Sequence, residues 1–243
     1  MSTVIEYHRP TTLEDALRLV AQGGTVLAGG TVVNAGSRPS RPVLVDLQAL
    51  ALAGVAAPDD STLVIGSMTR LHDLAADTAT PDWLRELARR ELPSSLRTLG
   101  TIGGTIVAGG GESALVAALV ACDAIVSLAS AAGTNDIALT TLLADLGGVE
   151  GRIITSVRLD VSGAASVQST ARTTADTPIV CCVARAGTTG LRVAMSGVAA
   201  TAVAVDDVDA LAPPGDFRGS GEYRRHLARV LQTRAITELG AVR

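Results

Sequence analysis

Apolar residues fall at Leu13, Leu17 and Val20, the spacing of a single helical face, and Gly23-Gly24 closes that run. Thr11 or Thr12 can cap this helix, with Glu14 and Asp15 at its positive end. Thr3–Tyr7 before it and Thr25–Ala28 after it read as short strands. Pro39 and Pro42 bracket a turn ahead of Val43-Leu44-Val45-Asp46-Leu47, an apolar run of the kind buried in parallel sheets. Together these segments predict a small βαβ-type unit.

The pattern then shortens. Gly54–Ala57, a Pro58-Asp59-Asp60-Ser61 turn and Thr62–Met68 predict a hairpin, followed by short helices over Arg70–Ala76 and Pro81–Arg90. Ala114–Cys122 is apolar almost all round, which predicts a buried helix. Strands are expected at Ala124–Leu128 and Ile153–Leu159, with a loop containing Gly147-Gly148 between them. Ala165–Ser169, Pro178–Ala186 and Gly190–Met195 read as antiparallel strands, and Tyr223–Thr233 as a closing helix. Boundaries are expected near residues 56 and 162.

With 243 residues and 47% hydrophobic content, the chain can bury a sizeable core and is not disordered. Aromatics make up only 2%, so that core must be built from Ala, Val, Leu and Ile. A net charge of −4 without any basic block argues against nucleic-acid binding. Lys is absent and all 20 basic residues are Arg, which removes Schiff-base and Walker lysines from consideration. Cys122, Cys181 and Cys182 fit no metal-ligand spacing, so no metal site and no iron–sulfur cluster is expected in this chain. Met1–Pro10 lacks the features of a signal peptide, and the longest apolar run is too short to span a bilayer. The expectation is a soluble, cytoplasmic protein with no membrane span.

Two glycine stretches stand out. Ala28-Gly29-Gly30-Thr31-Val32 follows one apolar strand-like run, and Thr101-Ile102-Gly103-Gly104-Thr105, preceded by Gly100, leads on to Gly109-Gly110-Gly111. Glycine suits places where a ligand must approach the backbone closely. Amides exposed at such turns, or at a following helix start, form a concave donor site suited to a pyrophosphate, and Thr31, Thr101 and Thr105 add hydroxyls. The pair suggests two parts of the chain closing on one extended ligand, the alternative being plain turns in a Gly- and Ala-rich protein. Neither stretch matches the P-loop or the dinucleotide-binding fingerprint.

Other candidates carry less. His8, His72 and His226 are scattered, and Gly111-Glu112-Ser113-Ala114-Leu115 lacks the second glycine of a nucleophile elbow. Asp145 and Glu150 read as solvated loop charges, and Arg224-Arg225 as a solvated helix face, the alternative being a site for an anion or a partner. No set of residues suggests self-sufficient catalysis, so no catalytic residue is expected, and a cofactor would carry any chemistry.

At these stretches the chain resembles the FAD-binding medium subunit of the molybdenum hydroxylases, the carbon monoxide dehydrogenase and xanthine dehydrogenase type. Tyr7-His8-Arg9-Pro10-Thr11-Thr12-Leu13-Glu14-Asp15-Ala16-Leu17 is similar to the family's opening, and Leu27-Ala28-Gly29-Gly30-Thr31 to its first FAD loop. Gly100-Thr101-Ile102-Gly103-Gly104 is similar to the second FAD loop, Leu63–Thr69 to the start of the middle domain, and Gly219–Leu227 to the C-terminal helix signature.

The resemblance implies an α+β fold in three sub-domains: an N-terminal α/β unit (1–56), a middle antiparallel α+β unit (57–162) and a C-terminal antiparallel sheet with helices (163–243). FAD would lie between the first two, on Ala28, Gly29, Gly30, Thr31 and Val32 and on Thr101, Ile102, Gly103, Gly104 and Thr105. The implied role is an electron-transfer oxidoreductase subunit that takes electrons from iron–sulfur centres and reduces an external acceptor. The implied partners are a molybdopterin-binding large subunit and a two-iron two-sulfur small subunit. The sequence departs from the family at Val32 (usually polar or acidic), Thr105 (Asn), Ala114 (Asp), Thr98-Leu99 (Asn-Arg) and near Gln168, while Asp176 matches. These departures motivate a second reading, a degenerate scaffold subunit that has lost flavin binding.

Overall fold

The computed structural model describes residues 6–32, 43–108, 110–173 and 176–241. The expected Pro39–Pro42 turn, Thr3–Ile5 and Gly109 lie outside them. Among the described residues the strands form three sheets, one for each part of the chain.

The first sheet is parallel, in the order β1 (Glu6–His8), β3 (Val43–Asp46), β2 (Thr25–Leu27). Helix α1 (Leu13–Ala21) connects β1 to β2 and buries Ala16, Leu17 and Val20. Thr12 is the residue that caps it, its hydroxyl accepting from the Asp15 amide at 3.2 Å. Gly23, at φ +93, ends it.

The second sheet is antiparallel, in the order β4 (Val55–Asp59), β5 (Thr62–Gly66), β8 (Ile153–Asp160), β6 (Ile125–Ser130), β7 (Gly133–Ala138). Between β5 and β6 the chain makes α2 (Leu71–Ala76), α3 (Asp82–Glu91), α4 (Ser94–Arg97), α5 (Ile102–Ala108) and α6 (Ala114–Ala121). Every residue of α6 is buried, as its all-round apolar sequence requires.

Where a plain loop was expected, the chain forms β7 and then α7 (Leu139–Ala144). The first residues of β7, Gly133-Thr134-Asn135-Asp136, are exposed on a sheet edge, so no alternation of apolar residues announces the strand. Pairing with β6 creates it.

The third sheet is antiparallel, in the order β12 (Val203–Ala204), β11 (Gly190–Ser196), β10 (Val180–Gly187), β9 (Ala164–Thr170). Helix α8 (Gly221–Ala241) covers one face and α6 the other. Cys181 and Cys182 follow strand alternation to opposite faces, Cys181 in the core shared with α6 and Cys182 in the core under α8. Helix α8 is longer than expected because the buried stripe Leu227, Ala228, Leu231 continues through Ala235 and Leu239.

Arg224 corrects the expectation of a solvated face. It is buried, and its guanidinium donates to the Ile179 and Gly197 carbonyls at 2.8 Å each and pairs with Asp216 at 2.6 Å. Arg225 reaches the Leu211 carbonyl at 2.8 Å. A buried Arg185 similarly bridges Asp123 (3.1 Å) and Asp160 (3.0 Å), tying the third sheet to the middle unit. Both guanidiniums are held by carbonyls and carboxylates, the condition under which a buried charge is tolerated, although the Arg224 Nε has no partner of its own among the described residues.

Candidate functional site

The two glycine stretches, remote in sequence, line one cleft of about 880 Å³ between the first sheet and the middle unit. Folding brings them into contact. A Cβ on Gly29 would stand 1.9 Å from the Leu99 carbonyl oxygen, so only glycine lets the first stretch lie against the chain leading into the second. All ten residues named from sequence except Ile102 line this cleft; Ile102 is fully buried beneath it.

The first stretch is an open turn. Gly30 adopts φ +70, and among the described residues the amides of Gly29, Gly30, Thr31 and Val32 donate to no protein acceptor. Four free donors on one wall suit an anionic ligand.

The second stretch is different. Thr101 caps α5, its hydroxyl accepting from the Gly104 amide at 3.1 Å. The Ile102 amide donates to Thr69 (3.0 Å) and the Gly103 amide to Ser67 (2.8 Å). The Thr105 hydroxyl donates back to the Thr101 carbonyl at 3.0 Å. The segment after β5 that receives α5 is itself fixed, because the Ser67 amide reaches Thr155 and the Met68 amide reaches Leu52, at 2.9 Å each. Thr101–Gly103 is thus a stitched platform, and Gly104 and Thr105 are its cleft-facing edge.

Several lining residues escaped the sequence reading. Ser67 is buried, and its hydroxyl has no hydrogen-bond partner in the protein although the residue lines the cleft. Leu146, Val149, Ile153 and Ile154 give an apolar wall, and Arg152 stands beside them, exposed. Motif spacing could not have found these, since the wall comes from the far end of the middle unit.

Glu91 and Leu92 line this cleft and also a second one of about 1320 Å³, between α3, α6 and β9, so the two adjoin along one groove-like face. Ala114 and Asp176 line the second part. The Glu91 carboxylate accepts from the Leu115 amide at 3.2 Å, which sets an acid from α3 one residue from Ala114 at the start of α6. Burial pushes the Glu91 carboxyl above the usual range, partly opposed by the Ser113 hydroxyl and the Leu115 amide. Gln168 does not line the groove; its side-chain amide donates to Glu238 at 2.7 Å.

An orphaned hydroxyl, four free amides, apolar walls and a floor free of side chains at the cleft-lining glycines fit an extended dinucleotide such as FAD. No cysteine lines the cleft of about 880 Å³; Cys181 borders the second one. Burial pushes each thiol up to about 12, which keeps it protonated and inert. No helix among the described residues is long and apolar enough to cross a membrane.

Comparison with known proteins agrees with this architecture. The chain is 29% identical over 247 residues, 93% of each sequence, to the uncharacterised protein YgfM of Escherichia coli (strain K12). It is 33% identical over 147 residues to the 6-hydroxypseudooxynicotine dehydrogenase complex subunit alpha of Paenarthrobacter nicotinovorans, covering 57% of this chain and 50% of that one. The fold superposes on a chain of carbon monoxide dehydrogenase from Hydrogenophaga pseudoflava with a TM-score of 0.87 at 22% identity, over 99% of both chains. A chain of quinoline 2-oxidoreductase from Pseudomonas putida 86 matches with a TM-score of 0.87 at 20% identity, over 98% of both. Residues 3–160 match the family described as the FAD binding domain in molybdopterin dehydrogenase, and the chain belongs to that family.

Proposed function

We propose that this chain binds FAD along the groove and serves as the flavoprotein subunit of a molybdenum hydroxylase complex, passing electrons from iron–sulfur centres in a partner subunit to an external acceptor. The observation that carries this reading is the convergence of Ala28–Val32 and Thr101–Thr105 on one cleft with unengaged backbone donors. FAD, when bound, supplies the redox chemistry. The chain's own residues bind and orient: Gly29–Val32 offer amides to the pyrophosphate, Gly104 leaves room for it, and the Leu146–Ile154 wall excludes water. The partners, a molybdopterin-binding large subunit and a two-iron two-sulfur small subunit, belong to the same proposal.

A second reading, a scaffold subunit without flavin, is favoured by one observation. The amides at the start of α5 are already engaged by Thr69, Ser67 and Thr101, and the Thr105 hydroxyl by its own helix. The absorption spectrum of the protein purified with excess FAD separates the two. Stoichiometric flavin absorbance, bleached by reduction, supports the flavoprotein; a colourless protein with intact fold supports the scaffold.

A further inference from the structure

We propose that Arg152 is the cation that holds the diphosphate of the dinucleotide in this cleft, closing on it opposite the free amides of Gly29–Val32. The inference rests on the FAD-binding reading and adds a residue to it. Arg152 is the sole cation lining the nucleotide part of the groove among the described residues, and it forms no ion pair or hydrogen bond with any of them through its side chain. Glu150 lines the same wall two residues away yet does not pair with it. The other arginines around the groove are held elsewhere: Arg89 and Arg90 pair with Glu86, Arg97 donates to the Arg89 carbonyl, and Arg172 lies 3.8 Å from the Asp176 carboxylate.

Its position is set by the fold. The Arg152 amide donates to the Val149 carbonyl at 3.1 Å, which ends a tight turn and delivers the residue to the first position before β8, beside cleft-lining Ile153 and Ile154. A guanidinium forks onto phosphate oxygens more effectively than an ammonium does. The need for it follows from the second stretch. Because α5 presents engaged amides, the two negative charges of a diphosphate are met by only one set of backbone donors, and an unpaired cation lining the same cleft completes their neutralisation.

The test compares FAD, ADP and riboflavin binding to the full chain and to Arg152→Ala, Arg152→Lys and Arg152→Glu, by calorimetry and flavin fluorescence. Arg152→Ala should weaken FAD and ADP by roughly 10- to 100-fold, the range of a lost charge-assisted hydrogen bond, and leave riboflavin unchanged. Arg152→Glu should weaken them further, and Arg152→Lys should recover part of the loss. The salt dependence of FAD affinity should flatten in Arg152→Ala. Equal FAD and ADP affinity in wild type and Arg152→Ala overturns the inference, as does an equal loss of riboflavin, which would mark a structural role. If wild type binds ADP but not FAD and Arg152→Ala loses ADP, Arg152 stands and the FAD reading fails. If wild type binds neither, both fail.

Discussion

The two glycine stretches look alike in sequence and behave differently in the fold. In Ala28–Val32 the amides of Gly29 to Val32 donate to no acceptor among the described residues, and Gly29 is a packing residue pressed on the Leu99 carbonyl. Thr101–Thr105 is the capped start of a helix whose amides are engaged, and its Gly104 is a spacing residue: an added Cβ there meets only the Thr101 hydroxyl, at 3.0 Å. Glycine in the first position permits a backbone–backbone contact. In the second it keeps a surface low. The same residue type thus answers to two physical demands on the walls of one cleft.

Gly29→Ala should break this pairing most severely. With 1.9 Å to a backbone carbonyl, the two stretches must separate, at about 3 kcal/mol, the upper part of the overpacking range. Urea unfolding measures the loss, and FAD should be lost with it. Gly104→Val should separate ligand binding from stability: FAD affinity falls at least about tenfold by steric exclusion, while unfolding stays within about 1 kcal/mol because the helix favours Val over Gly. Equal flavin content in this variant would remove Gly104 from the ligand's path.

Thr101→Val should cost about 1 kcal/mol through the lost cap on Gly104, read in the same unfolding assay. The smallest effect is a pH dependence. The folded-state pKa of Glu91 is raised by burial, so its contribution favours the fold below the ordinary carboxylate range and is lost as pH rises through the raised value. Glu91→Gln cannot ionise, and its stability relative to wild type should therefore increase as pH rises above the ordinary carboxylate range. Parallel profiles would show that the carboxylate is not desolvated.

Much of the scaffold was legible in the sequence because local rules govern it. Leu13, Leu17 and Val20 gave α1, the Thr12 cap and Gly23 gave its ends, and the unbroken apolar run Ala114–Ala121 gave a buried α6. Both glycine stretches were visible as candidates for one site. Strand β7 was not, since its exposed residues carry no apolar period and are ordered by pairing. Arg224 read as solvated because helical spacing does not show that Ile179 and Gly197 turn their carbonyls toward it.

The sequence by itself determined the elements, the Ala- and Leu-rich core and the two backbone segments able to approach a ligand, since period, capping and glycine content are properties of neighbouring residues. The tertiary structure alone decided which amides remain free, that Ser67, Glu91 and Arg152 join the groove, and that one glycine packs while the other makes room. Hydrogen-bond satisfaction and close approach depend on partners far along the chain, and those partners exist only once the three sheets have come together.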